Sequence, residues 1–218
     1  DIVELGIPFS DPLADGPQIQ LSSQKALEGG ISLSRILKIV EKVRVHSDIP
    51  IVLMGYINPI IAWRGADFYS TAAGAGVDGF IIPDLPIEEA STFRTACRSN
   101  GLSTIFLVAP TSSDKRISLT NRYSTDFVYA VTVTGVTGSG RKFGAETDAY
   151  LKRLKSQLSR PFVAGFGVSS AQIAKRLVRY ADGVVIGSAL VDLLRRSKTR
   201  TTRLQAVGRF LKSVRRAI

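Results

Sequence analysis

Several residue types that build common functional sites are scarce in this chain of 218 residues. It has one cysteine, Cys97, and one histidine, His46. A single cysteine excludes an internal disulfide and fits a reducing compartment, and one cysteine with one histidine cannot supply the ligands of an ordinary zinc site. No apolar run approaches the roughly 20 residues that are needed to span a bilayer. The sequence therefore predicts neither a metal centre nor a membrane protein.

Acidic residues are also few, with 18 Asp and Glu against 29 Lys and Arg and a formal net charge of +11. This excess raises the possibility of a nucleic-acid partner, but nine of the 29 basic residues lie between Arg195 and Arg216, a stretch without an acid. Apolar residues follow a helical spacing in the same segment: Leu204, Val207, Phe210, Leu211, Val214 and Ile218. We interpret 197–218 as a basic C-terminal helix with one buried stripe and a solvated outer face. No zinc-finger, RNP or aromatic-interleaved pattern indicates nucleic-acid binding.

Seven short β-rich runs, most of them continuously apolar, recur along the chain at 1–5, 50–54, 78–82, 103–108, 126–132, 161–164 and 182–187. Strands that are buried on both faces of a parallel sheet have this pattern. Helical patterns lie between the runs, among them a stripe from Leu33 to Val43 with Ser32 or Ser34 as its cap, and a segment that starts at Pro86. This alternation without a linker predicts a single α/β domain with a parallel sheet.

Two architectures fit this alternation, a doubly wound open sheet and a (β/α)₈ barrel. The first strand is not followed by the G-x-G-x-x-G pattern of a dinucleotide-binding doubly wound fold. A barrel needs eight strands, whereas this chain shows seven and begins without methionine inside a strand. We therefore expect a (β/α)₈ TIM barrel that lacks its first βα unit, with residues 1–218 forming one N-terminally incomplete domain.

Three carboxylates gather in the opening stretch "DIVELGIPFSDPLADGPQIQ". Active sites of barrels lie at the carboxyl ends of the strands, and Glu4 ends the first apolar run, where it can serve as a general acid or base. Asp11 and Asp15 follow in a loop bounded by proline and glycine. For Asp11, turn and cap chemistry explains the residue as well as a functional role does.

Glycine-rich loops follow three of the later strands. The segment 131–144 has four glycines and no apolar period, which is typical of a mobile lid, although an ordinary surface loop fits as well. The stretches "AGFGVSS" (164–170) and "VIGSALV" (185–191) each lead into a helix start that carries serine. Helix N-termini favour anions, and barrels often bind phosphate with the loops after strands 7 and 8. These loops predict a phosphorylated small-molecule substrate.

The motifs together resemble those of the tryptophan synthase α chain family. "VELGIPFSDPLADGPQIQ" is similar to the family's long opening signature, and "MGYINPI", "DGFIIPDLPIEE", "GVTG", "GFGVSS" and "DGVVIGSALV" resemble family motifs in the same order. The resemblance runs from residue 1 to about residue 195. It implies a (β/α)₈ barrel and a lyase that cleaves indole-3-glycerol phosphate, by a retro-aldol reaction, to indole and glyceraldehyde 3-phosphate.

The resemblance also implies roles for individual residues. Glu4 matches the catalytic glutamate, which moves protons between the indole C3 position and the substrate hydroxyl. Asp15 matches the aspartate that holds the indole N–H and stabilises the positive nitrogen. Tyr129 matches a tyrosine that lines the pocket, and Thr137 matches a lid threonine that closes toward Asp15. The positions that match phosphate-binding residues are Gly138, Gly167, Gly187 and Ser188.

No metal or organic cofactor is implied for this chain, because pyridoxal phosphate belongs to the β chain of the family's α₂β₂ assembly. The resemblance implies this β chain as the partner, a cytoplasmic location, or a plastid if the source is a plant, and neither a nucleic-acid nor a membrane partner. Two other functions stay open. They are a stand-alone indole-3-glycerol phosphate lyase and a non-catalytic regulatory partner of the β chain, although the intact Glu4 and Asp15 argue against the second.

Overall fold

A computed structural model describes residues 1–132, 144–165 and 167–218. The strand segments within these ranges are β1 (Val3–Gly6), β2 (Ile51–Met54), β3 (Gly79–Ile81), β4 (Ser103–Ile105), β5 (Leu107–Val108), β6 (Val128–Val131), β7 (Phe162–Gly165) and β8 (Gly183–Val184). The helices are α1 (Pro17–Glu28), α2 (Leu33–Arg44), α3 (Ile57–Ile61), α4 (Phe68–Ala75), α5 (Ser91–Ser99), α6 (Asp114–Tyr123), α7 (Ala145–Gln157), α8 (Ala171–Leu177), α9 (Ser188–Arg196) and α10 (Arg200–Arg215). Each of the seven predicted β-rich runs contains a strand, so these strand predictions are confirmed.

The chain divides into two compact units. Unit 1 comprises residues 1–14, 21–106 and 122–126, and unit 2 comprises 15–20, 107–121 and 127–218. Unit 1 contains a parallel sheet in the order β1-β2-β3-β4, and unit 2 contains a parallel sheet in the order β5-β6-β7-β8. In each unit strands alternate with helices, as the sequence pattern predicts.

Unit 1 buries its helices against one face of its sheet. Leu53 and Phe80 point from the strands into a cluster that also contains Ile36 and Val40 of α2 and Phe93 of α5. Apolar side chains of this size each stabilise the fold by about 1.5–3 kcal/mol when they are fully buried. Helix α2 shows how the sequence specifies such packing, since its apolar spacing places Ile36, Leu37 and Val40 on the buried side.

Local chemistry fixes the ends of these helices. The side chain of Ser32 accepts a hydrogen bond from the Arg35 N–H and caps α2. Helix α4 is followed by Gly76, whose φ of 94° is left-handed and suits glycine. Arg44, the last residue of α2, donates from Nε (2.9 Å) and Nη2 (2.7 Å) to the Gly76 carbonyl, and it pairs with Asp78. These hydrogen bonds connect the C-terminal end of α2 to the C-terminal end of α4.

The chain's single cysteine and single tryptophan both lie in unit 1. Cys97, on α5, is fully buried, and burial raises the pKa of its thiol to about 12. The thiol therefore stays protonated at neutral pH, which argues against a nucleophilic role. Trp63 packs edge-on against Phe68, with the ring centroids 5.6 Å apart.

Unit 2 is built in the same way around a second cluster. Val128 and Ala130 of β6 and Phe162 and Ala164 of β7 face helical residues such as Leu151. The basic helix α10 contributes Val214 to this cluster, with Phe210 packed against it. The predicted buried stripe is only partly present, because Leu204, Leu211 and Ile218 are 64%, 42% and 45% exposed.

Two sequence-based expectations need correction. The run 103–108 contains two segments, of which β4 pairs with β3 and β5 pairs with β6, and Phe106 between them donates its N–H to the Ser124 hydroxyl at 3.1 Å. Helix α5 begins at Ser91 and not at Pro86, because residues 86–90 form short turns with bonds from the Glu89 N–H to the Pro86 carbonyl and from the Ala90 N–H to the Ile87 carbonyl.

In the described part of the chain, no helix is long and apolar enough to cross a bilayer.

Candidate active site

Glu4 lies on the face of the unit 1 sheet that is turned away from the helices. It is aligned with Val52 on β2, while its neighbour Leu5 is aligned with Leu53 and packs with the helix-facing cluster. Because side chains alternate along a strand, Glu4 and Val52 share the opposite face. The Glu4 side chain is exposed, but Glu4 does not end the strand as the apolar run predicts, because β1 continues through Leu5 to Gly6.

The loop after β1 is held by residues of the next strand and its loop. The Ile7 N–H donates to the Met54 carbonyl at 2.7 Å, and the Ala14 N–H donates to Tyr56 Oη at 2.9 Å. The rings of Phe9 and Tyr56 are tilted against each other with their centroids 5.3 Å apart. Tyr56 therefore anchors the residue that directly precedes Asp15. Sequence reasoning missed this role, although Tyr56 is part of the quoted motif "MGYINPI".

The two aspartates of this loop differ in their surroundings. Asp11 is exposed and accepts a hydrogen bond from the hydroxyl of its neighbour Ser10 at 2.5 Å, which favours the turn interpretation. Asp15 is half-buried, and its backbone carbonyl accepts a bond from Gln20 Nε2 at 2.9 Å. Helix α1 begins two residues later with Pro17 at its first position. Asp15 thus lies two residues before the start of a helix.

Tyr129 lies on the face of the unit 2 sheet opposite the helices, because its neighbours Val128 and Ala130 on β6 belong to the helix-facing cluster. It is 3% exposed. Gly165 at the end of β7 leaves room for its ring. A Cβ atom on Gly165 would lie 2.5 Å from Cε1 and Cζ of Tyr129, so no larger residue fits without a shift. The glycine at this position therefore sets where the tyrosine ring can be.

The two loops of the predicted phosphate site leave neighbouring strands at the same edge. Ala164 of β7 is aligned with Val184 of β8, and the Val185 N–H donates to the Ala164 carbonyl at 2.9 Å. Gly167 follows β7, is exposed, and has a left-handed φ of 84°. Gly187 precedes α9 after β8.

These two loops look alike in sequence, but their helix starts differ. Ser170 caps α8, because its side chain accepts a hydrogen bond from the Ile173 N–H. Helix α9 starts at Ser188, and its N-cap residue Gly187 has no side chain to accept such a bond. A Cβ atom on Gly187 would meet nothing within 4 Å, so the space beside this residue is not filled by packing. An oxyanion fits the start of α9 better than that of α8.

Glu4 belongs to unit 1, whereas Asp15, Tyr129, Gly167, Gly187 and Ser188 belong to unit 2. Within unit 2, adjacent strands bring the Tyr129–Gly165 contact and the two glycine loops to one sheet. Thr137 and Gly138 lie outside the described residues, as does the predicted lid from 133 to 143, whereas Val131 belongs to β6 and Thr132 is buried. Among the described side chains, no three His, Cys, Asp or Glu residues form a group that could hold a metal ion.

The family model for the tryptophan synthase alpha chain matches residues 1–217. The chain belongs to the tryptophan synthase alpha chain family. It is 48% identical to the tryptophan synthase alpha chain of Pelobacter propionicus over all 218 residues, which cover 81% of that relative, and 45% identical to that of Geobacter sulfurreducens, of which it covers 82%. Members of this family are enzymes of tryptophan synthesis.

Solved structures of the family have the same fold. The tryptophan synthase complex from Pyrococcus furiosus has a matching chain with a TM-score of 0.87 and 36% identity, over 98% of this chain and 85% of that one. The alpha subunit from Legionella pneumophila gives a TM-score of 0.89 and 35% identity, over 100% of this chain and 81% of that one. The predicted fold class, the α/β barrel of the tryptophan synthase alpha chain family, is thereby confirmed.

Proposed function

We propose that this chain cleaves indole-3-glycerol phosphate to indole and glyceraldehyde 3-phosphate as the α chain of a tryptophan synthase. One observation carries the proposal, which is the match of the tryptophan synthase alpha chain family along residues 1–217. The exposed side chain of Glu4 on β1 and the start of α9, which has no side-chain cap, support it.

The reaction breaks the bond between C3 of the indole ring and the neighbouring glycerol carbon. Glu4 in its protonated form gives a proton to C3, which leaves a positive charge on the ring nitrogen. Asp15 accepts a hydrogen bond from the indole N–H, and its negative charge stabilises this cation. Glu4, now a carboxylate, takes the proton of the hydroxyl next to C3. The C–C bond electrons then return to the ring, which releases neutral indole, and the hydroxyl-bearing carbon becomes the aldehyde.

The phosphate group of the substrate is assigned to the loops after β7 and β8. Gly167, Gly187 and Ser188 supply backbone N–H groups there, and the positive end of the α9 dipole attracts the anion. Thr137 and Gly138 of the lid complete the site in this proposal, and Tyr129 lines the indole pocket. This anchors the substrate at its phosphate end while the carboxylates act on the ring.

A tryptophan synthase β chain is proposed as the partner, in an α₂β₂ assembly. The solved relative from Pyrococcus furiosus is a tryptophan synthase complex, which supports this choice. Pyridoxal phosphate is assigned to the partner, and this chain needs no organic cofactor or metal for the steps described above. A stand-alone lyase would carry out the same chemistry without the partner.

The experiment is an indole-release assay on the purified protein with indole-3-glycerol phosphate, with and without a co-purified β chain. We expect Glu4→Gln to lower turnover by about 10²–10⁴-fold with an unchanged far-UV spectrum, since a general acid and base is lost. Asp15→Asn should lower turnover while substrate still binds, because the amide keeps a hydrogen-bonding group but not the charge. Asp11→Asn is the matched control and should retain wild-type turnover.

Each outcome has a defined meaning. Turnover of Glu4→Gln within a few-fold of wild type would remove Glu4 from the mechanism. An unchanged turnover with weaker substrate binding in Asp15→Asn would make Asp15 a binding residue only. Full activity without any β-chain binding would favour the stand-alone lyase, and β-chain binding without indole release would favour the regulatory partner.

A further inference from the structure

The hydroxyl of Thr132, the residue directly after β6, is buried and bonds to the last residue of β7. Thr132 is 2% exposed, and its Oγ1 donates to the Gly165 carbonyl at 2.5 Å. The Thr132 N–H donates to the same carbonyl at 3.0 Å. The backbone bond continues the strand pairing and would form with any residue except proline, whereas the second bond requires the hydroxyl of threonine or serine.

Gly165 is a position that needs such an external restraint. As a glycine it has no side chain that could pack and hold its backbone in place, and the Tyr129 ring occupies the space where a Cβ atom would be. Glycine also has the largest conformational freedom of all residues. Two residues further along, Gly167 has a left-handed φ of 84°. Two glycines thus flank the exit from β7, and the Thr132 hydroxyl adds a side-chain restraint on the first of them.

We propose that Thr132 is a positioning residue for phosphate recognition, which acts by fixing the Gly165 carbonyl at the end of β7, two residues before Gly167. The inference rests on the proposed function in so far as it takes the loop after β7 to be a phosphate-binding loop. It assigns Thr132 to substrate binding and not to the proton transfers.

The test compares two substitutions that separate the hydroxyl from the shape of the side chain. Thr132→Val keeps the branched volume and removes the donor, whereas Thr132→Ser keeps the donor. Since a buried hydrogen bond of this kind is worth a small multiple of thermal energy, we expect Thr132→Val to weaken binding about three- to tenfold. The probes are inorganic phosphate and glycerol 3-phosphate in titration calorimetry, together with the KM and kcat for indole-3-glycerol phosphate.

Thr104 offers a matched control in unit 1. It is 3% exposed, and its Oγ1 donates to the Tyr123 carbonyl at 3.2 Å, so Thr104→Val also removes one buried hydroxyl-to-carbonyl bond. Both valine variants should melt at similar, slightly lowered temperatures. Only Thr132→Val should raise the Kd for the two anions and the KM, with kcat unchanged, and Thr132→Ser should restore wild-type values. If Thr132→Val does not fold, Thr132→Ala takes its place in the comparison.

Three results would overturn the inference. They are anion affinities in Thr132→Val equal to those of wild type and Thr104→Val, a loss of kcat with unchanged anion affinity, and a wild-type protein that binds neither anion. Failure of the proposed function is a separate result, namely a wild-type protein that binds glycerol 3-phosphate but releases no indole. In that case the anion affinities of the valine and serine variants still decide the role of Thr132.

Discussion

Replacement of Gly165 by alanine is the sharpest test of how the Tyr129 ring is held. The added Cβ atom would lie 2.5 Å from Cε1 and Cζ of the ring, whereas carbon atoms pack best at about 3.5–4.0 Å. The overlap of about 1 Å cannot be relieved locally, because Tyr129 is 3% exposed and is surrounded by packed strands. The ring or the backbone of β7 has to move.

Overpacking of this kind lowers the free energy of unfolding by about 1–3 kcal/mol. Alanine also reduces the conformational entropy of the unfolded chain, which raises the free energy of unfolding by about 0.4–1 kcal/mol. We therefore expect a net loss of about 1–2 kcal/mol for Gly165→Ala. In a protein of this size, 1 kcal/mol corresponds to about 2–4 °C, so Tm should fall by about 2–8 °C. Urea unfolding followed by far-UV circular dichroism measures the free energy, and thermal melts give Tm.

Gly183→Ala in the neighbouring strand is the control. A Cβ atom there would meet Val163 Cγ1 at 3.3 Å, a contact that a small side-chain movement relieves. The combination of Gly165→Ala with Tyr129→Leu should cost less than the sum of the two changes, because leucine lacks the ring atoms that clash. Equal stability of Gly165→Ala and Gly183→Ala, or strict additivity in the double variant, would refute the reasoning.

Three further predictions concern unit 1. Burial raises the pKa of the Cys97 thiol from 9.0 to about 12, so between these pH values the folded state keeps a proton that the unfolded state loses. The contribution of the protonated thiol to the free energy of unfolding is therefore fully present below about pH 9 and is lost as the pH rises to about 12. Unfolding free energies measured from pH 8 to 12 should fall more steeply in wild type than in Cys97→Ala, by up to about 1.4 kcal/mol per pH unit, and parallel curves would contradict this. Arg44→Met should lower the unfolding free energy by about 1–3 kcal/mol, since the Gly76 carbonyl loses its charged donor, and an unchanged urea midpoint would argue against this connection. Tyr56→Phe should speed hydrogen exchange of the Ala14 amide about fivefold and lower indole release, and unaltered exchange would exclude the anchoring role.

The sequence predicts best what depends on continuous apolar runs and helical spacing. All seven strand positions follow from such runs, and the buried side of α2 follows from its stripe with Ser32 as cap. The start of α5 was harder to place, because proline and two acids suit a first helical turn and also suit the short turns that residues 86–90 adopt. Three of the six apolar residues of the predicted C-terminal stripe are exposed. Their burial depends on which elements pack against the helix, and the spacing of apolar residues does not specify this.

The sequence does not predict contacts between residues that are far apart along the chain. Ala14 and Tyr56 are 42 positions apart, and nothing in the motif around Tyr56 specifies a bond to a backbone amide. The two loops of glycine and serine look equivalent in sequence, yet the Ser170 side chain caps one helix start, whereas Gly187 leaves the other without a side-chain cap. The hydroxyl of Thr132 and the absent side chain of Gly165 likewise acquire meaning only once β6 and β7 are paired.

The location of Trp63 and Cys97 in unit 1 has a practical consequence for measuring how the protein unfolds. Tryptophan fluorescence and the labelling rate of the thiol are reporters of unit 1 alone, whereas circular dichroism averages over the whole chain. A buried thiol reacts only when its surroundings open, so labelling under native conditions gives the opening free energy around α5. If the fluorescence and dichroism transitions do not coincide in urea, the two units lose their structure in separate steps. A tryptophan introduced in unit 2, for example by Phe210→Trp, would then supply the missing signal.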